Sequence, residues 1–122
     1  MPADRGRTLY RFALSVRAEV ERPEDASLTR VGRHLLAVAI CLESLRPAGG
    51  VCRAFMARRR LSAGDDQVRV ECARIAFMFR VLAAEAKCAS TSTRRGDFLA
   101  RAGELIDRLL DDASERDVRV SA

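Results

Sequence analysis

Lysine is nearly absent from this chain: of 22 basic side chains only Lys87 is a lysine, and the remaining 21 are arginines. Tryptophan is missing, tyrosine occurs once and phenylalanine five times, which leaves little stock for stacking nucleobases on aromatic rings. Seven glycines and three prolines are too few for a sandwich or barrel built on many tight turns. No apolar run approaches the roughly 18 residues of a membrane span. The opening Met1-Pro2-Ala3-Asp4-Arg5 carries no apolar core of signal-peptide length, so a cytoplasmic location without membrane contact is expected. The four cysteines, Cys41, Cys52, Cys72 and Cys88, include no Cys-x-x-Cys pair, and His34 is the sole imidazole. Structural zinc sites use close ligand pairs, so these thiols read as reduced, buried, small apolar residues. Neither a metal nor another cofactor is expected.

What remains is a chain of 122 residues, 48% hydrophobic and 32% charged, with a net charge of +5, enough for one domain and too short for two. Leu9, Phe12, Ala13, Val16 and Val20 recur at three- and four-residue intervals and predict a helix over residues 8 to 21, closed before Pro23. Ser27 or Thr29 is the candidate cap of a second helix, which Leu28, Val31, Leu35, Val38, Leu42 and Leu45 carry to Arg46. Val51, Cys52, Phe55 and Met56 predict a short helix over 51 to 60 that ends in Arg58-Arg59-Arg60, cations suited to the negative end of the helix dipole. A central, most buried helix is predicted over 66 to 88. It has one stripe of Val68, Cys72, Ile75, Phe79, Leu82 and Ala86, and Val70, Phe77 and Val81 on nearly the opposite side. That second face is either sandwiched inside the bundle or presented to another subunit. After a polar loop, Thr93 or Asp97 is the candidate cap of a last helix whose Phe98, Leu99, Ala102, Leu105, Ile106, Leu109 and Leu110 face the core. The prediction is an all-α bundle of four main helices plus one short helix over residues 1–112, with a charged, frayed tail over 113–122.

Charge is uneven along the chain. Residues 1 to 60 hold twelve arginines against six acids, whereas 61 to 122 hold ten basic side chains against eleven acids. On the central helix Arg69, Arg80 and Lys87 fall within about 40° of one another on the helical wheel, with Ala73, Ala76 and Ala84 between them. Small residues beside three cations would let a phosphate backbone approach closely. Arg7, Arg11 and Arg22 make a comparable stripe on the first helix, and Arg94-Arg95 adds two charges at a helix start. Against this stands the plain alternative of a solvated face, with Arg69 to Asp65 and Arg108 to Glu104 as i,i+4 pairs. GC-rich coding is an alternative source of the arginine excess.

Catalytic machinery is not apparent. His34 lies four residues after Arg30 and seven before Cys41 on an apolar helix, where a core or half-buried histidine is the simpler reading, because a nucleophile and base need a third orienting group. The Arg-to-His spacing departs from that of HEPN-type helical ribonucleases. No glycine-rich phosphate loop and no carboxylate-x-x-histidine pair occurs, so no enzyme is expected.

Three segments carry a resemblance: Leu28-Thr29-Arg30-Val31-Gly32-Arg33-His34-Leu35-Leu36, Arg74-Ile75-Ala76-Phe77-Met78-Phe79-Arg80 and Phe98-Leu99-Ala100-Arg101-Ala102-Gly103-Glu104-Leu105-Ile106. Together, from about residue 27 to 110, they resemble the all-helical small subunit of multi-subunit CRISPR effector complexes, the type III and type IV group. The resemblance implies a non-catalytic ribonucleoprotein subunit of antiviral defence that self-stacks head to tail along larger protein subunits. In that setting Arg and Lys would line the path of guide RNA, target strand or displaced strand, and Arg30, Arg74 and Arg80 match motif positions. The leading expectation is thus an RNA- or DNA-backbone-binding small subunit using Arg30, Arg58, Arg59, Arg60, Arg69, Arg74, Arg80, Lys87, Arg94 and Arg95. The alternative is a protein-interaction module, an adaptor or inhibitor, docking through Val70, Phe77 and Val81.

Overall fold

Four α-helices make up the fold: α1 (Arg5–Glu21), α2 (Leu28–Glu43), α3 (Asp65–Glu85) and α4 (Ser92–Asp112). The computed structural model describes residues 5–44, 65–89 and 91–112, and no strand occurs among them. The fold is all-α, with helices packed on helices. The predicted short helix over 51 to 60 and the predicted frayed tail over 113–122 lie outside the described residues.

Each helix buries the stripe its sequence marks out. On α1, Leu9, Ala13 and Val16 are buried, with Phe12 and Val20 partly so. On α2, Val31, Leu35, Val38 and Leu42 are joined by Ala39 and Cys41. On α3 the core residues are Cys72, Ile75, Ala76, Phe79 and Leu82, and on α4 they are Phe98, Leu99, Ala102, Ile106 and Leu109. Closing these stripes on one another removes the apolar surface from water, which drives the assembly.

Several predicted details are corrected. α1 begins at Arg5, earlier than residue 8, α2 ends at Glu43 with Ser44 as its C-cap, before Arg46, and α3 ends at Glu85, before residue 88. The last helix is capped by Thr91, whose Oγ1 accepts from the Arg94 amide at 3.2 Å, and not by Thr93 or Asp97. Thr91, Ser92 and Thr93 are all competent caps, and the first of them wins because the polar residues after it add a further turn of helix. The central helix is α2, which packs on both α1 and α3, whereas α3 leans on α2 and meets α4 only lightly. The apolar second face of α3 therefore turns outward instead of being enclosed.

The corner between α1 and α2 is held from two sides. Ser27, with φ −93° and ψ 115°, caps α2 by accepting from the Arg30 amide at 3.3 Å. The Glu19 carboxylate on α1 accepts from the Ser27 amide at 3.0 Å and from the Arg30 guanidinium at 2.5 Å, placing an anion at the positive end of α2. From the other side, the Arg95 guanidinium on α4 donates to the carbonyls of Pro23 at 2.8 Å and Ala26 at 2.6 Å. The fourth edge of the bundle is closed by an ion pair between Arg101 and Glu85.

Where α2 meets α3 the backbones come close. A Cβ built on Gly32 would lie 2.9 Å from the Ala86 Cβ and 3.4 Å from the Ala83 carbonyl oxygen. Neither neighbour is the end of a flexible side chain, so a larger residue at 32 would push the two helices apart. Gly96, inside α4, has nothing within 4 Å of the same position. Alanine is favoured over glycine in a helix interior by roughly 0.5–1 kcal/mol. Gly96→Ala is therefore expected to raise the thermal midpoint, and Gly32→Ala to lower it despite the same gain in helix propensity. Equal stabilisation by both substitutions in thermal unfolding would show that the α2–α3 contact is not tight.

Candidate functional site

The two faces that the sequence singles out on α3 differ in what the fold does with them. Val70, Phe77 and Val81 share one outward strip, since offsets of seven and eleven residues return to the same side of a helix. They are 67%, 66% and 43% exposed. Met78 on the same helix and Leu36 and Ile40 on α2 are also exposed, so an apolar surface runs across the outside of the α2–α3 pair. Arg74 lies within this strip and is turned along it by Glu71, whose carboxylate accepts from its guanidinium at 2.5 and 3.2 Å. That hydrogen-bonded pair raises the Arg74 pKa above its ordinary value.

The cationic face is partly self-neutralised. Arg80 donates to both oxygens of Glu43 on α2, at 2.6 and 3.2 Å, a fork spanning the two helices. The hydrogen bonds from Arg80, more than its charge, hold the Glu43 carboxyl below its ordinary range. A carboxyl lowered in the folded state contributes stability above its unfolded-state range, and that contribution is lost as pH falls through the lowered value. Arg30 is taken by Glu19 and Arg95 by two main-chain carbonyls. By contrast Arg69, Lys87 and Arg94 are exposed and have no side-chain partner among the described residues. Arg58, Arg59 and Arg60 lie outside the described residues. Arg11 on α1 is exposed, and Arg22, which the sequence pattern places on the same helix, is exposed just past its end at Glu21.

Of the pairs expected on helix faces, Arg108 donates to Glu104 at 3.0 Å. The Arg74–Glu71 pair follows the same local spacing and was within reach of sequence reasoning. The Arg80–Glu43 and Arg95 contacts were not, because their partners sit 37 and up to 72 positions away. Cys41 and Cys72 are buried and form no disulfide, in keeping with the expectation of reduced, buried, small residues, but Cys88 is exposed, because α3 ends before it and the turn carries it to the surface. Cys52 lies outside the described residues. His34 is half-buried with its ring 5.5 Å from that of Phe12, and its Nδ1 has no hydrogen-bond partner among the described residues.

Among the described residues no group of three His, Cys, Asp or Glu side chains converges as a metal site would require. No described helix is long and apolar enough to cross a membrane.

The class defined by fold and surface is an all-α helical bundle that, among the described residues, carries an outward apolar strip and a set of exposed cations without side-chain partners. No protein-family model, no curated protein and no solved structure matches the chain.

The division between structural and available arginines is testable in adjacent residues. Arg95→Ala removes two charge-assisted bonds that tie α4 to the α1–α2 corner and is expected to cost about 1–2 kcal/mol of unfolding free energy. Arg94→Ala removes a solvated side chain and should cost less than about 0.5 kcal/mol. Chemical denaturation of the two variants checks this; equal effects would mean that Arg95 does not hold the corner.

Proposed function

We propose that this protein is a non-catalytic interaction subunit that docks on a larger protein through the outward strip of α3. The observation that carries the reading is the exposure of Phe77 and Val70, each about two thirds open to solvent on a helix whose other face is fully committed to the core. Large contiguous apolar surface on a small domain marks a protein contact, and aromatic anchors contribute most when buried there. Leu36, Ile40 and Met78 widen the strip, and the Arg74–Glu71 pair places a polar group within it.

A second reading, a ribonucleoprotein small subunit contacting phosphate backbone, is favoured by Arg69, Lys87 and Arg94, which carry no acid partner among the described residues. The resemblance to CRISPR effector small subunits supports it as well. In this reading Arg80 would have to leave Glu43 to reach a phosphate, and Arg95 would remain structural.

One set of variants separates the two. Val81→Asp lies on the surface and is expected to leave helicity and melting unchanged while abolishing the complex recovered with the full-length chain from its native cells. The triple variant Arg69→Ala, Lys87→Ala and Arg94→Ala should leave that complex intact. In the ribonucleoprotein reading the triple variant weakens binding to random-sequence single strands and lowers the salt slope by roughly 0.7 per lost phosphate contact. An assembly unchanged in Val81→Asp would reject docking through α3, and a salt slope unchanged in the triple variant would reject phosphate contact.

A further inference from the structure

Between the N-terminal half of α2 and the C-terminal half of α3 lies an open cleft of about 440 Å³. Its apolar lining includes Leu28, Leu36 and Ala83, and it exists because Gly32 and the alanines of α3 leave the seam between the helices shallow. Thr29, Arg33, Arg80 and Lys87 supply its polar groups. Among the described residues that line it, all three charges are positive and none is a carboxylate. Arg80 is compensated by Glu43, whereas Arg33 and Lys87 have no partner among the described residues.

An apolar lining with uncompensated cations has a definite chemical complement. Small-ligand sites of roughly 300–1,000 Å³ are mostly apolar with a few polar groups that fix orientation. A phosphate backbone would meet the cations but has no apolar body to cover the leucines. A neutral apolar molecule would cover the leucines but leave both cations unanswered. We infer that the cleft binds a free anionic amphiphile of the medium-chain carboxylate class, its chain along Leu28, Leu36 and Ala83 and its head between Arg33 and Lys87. Arg80, which lines the cleft, bridges to Glu43 on α2 and so ties the two helices together beside it. This inference shares Leu36 with the outward strip and Lys87 with the phosphate reading, but it depends on neither reading, because Arg33, Leu28 and Ala83 of the cleft belong to neither surface.

The test is isothermal titration of the full-length protein with dodecanoate below its micellar concentration, with dodecyltrimethylammonium as the charge-reversed control. Amide shifts in Gly32, Ala83, Ala84 and Ala86 would be followed by NMR. Saturable one-to-one binding of dodecanoate at these residues is expected, with little response to the cation. The double variant Arg33→Glu, Lys87→Glu should weaken binding at least about tenfold, a difference of ~1.4 kcal/mol. Ala84 is exposed, so Ala84→Phe should fold normally and block the cleft while leaving the charges in place. Equal binding of dodecanoate and the cationic amphiphile, affinity unchanged in the double variant or in Ala84→Phe, or no binding by the wild-type protein would each overturn the assignment.

Discussion

The contact on which the other features depend is the close approach of α2 and α3 at Gly32. A helix with apolar residues on two faces must choose which to bury, and the Gly32–Ala86 contact settles the choice by letting the Cys72, Ile75, Phe79 and Leu82 stripe close fully onto α2. Phe77 is then turned outward by helix geometry alone, because it lies far around the wheel from Phe79 and Ile75. The same close seam produces the cleft, since small residues on both helices leave its outer edge shallow. An outward apolar strip and a cationic cleft thus share one cause, a packing decision made inside the core.

Charge is organised by the same geometry. Much of the arginine excess is spent internally: Glu19 holds Arg30, Glu43 holds Arg80, Glu85 holds Arg101, and main-chain carbonyls hold Arg95. Arginine suits the Arg80 task better than lysine, because its planar fork engages both Glu43 oxygens at once through Nε and Nη2, while Arg95 reaches the Pro23 and Ala26 carbonyls through Nη2 alone. Exposed ion pairs of this kind contribute little each. Their effect is to subtract cations from the surface. Arg11, Arg22, Arg33, Arg69, Lys87 and Arg94 remain, and these six define where an anion meets unsatisfied positive charge among the described residues.

The four helices were legible in the sequence because each carries a three-to-four-residue apolar stripe, and a stripe records which face is buried. Ser27 was legible as a cap because it stands immediately before the first apolar residue of its stripe. Thr91 was not, because three consecutive hydroxyl residues offer equivalent local chemistry and the choice among them is made by how far the helix extends. The two apolar faces of α3 were visible as a pattern, but which one would be buried was not, since that depends on Gly32 some fifty residues earlier. Of the expected stripe, Arg69 and Arg80 are exposed on α3, whereas Lys87 lies in the turn after Glu85, and the capture of Arg80 by Glu43 required a partner from another helix. Local periodicity carries burial; it does not carry the pairing of charges across a tertiary seam.

The central claim is that the outward strip of α3 is a docking surface. The most direct measurement is photo-crosslinking in native cells with benzoylphenylalanine at position 77, compared with the same probe at Glu104 on the exposed side of α4. A discrete adduct to one larger protein from position 77, absent from position 104, is the predicted result. No adduct at 77, or the same adducts from both positions, would contradict the account.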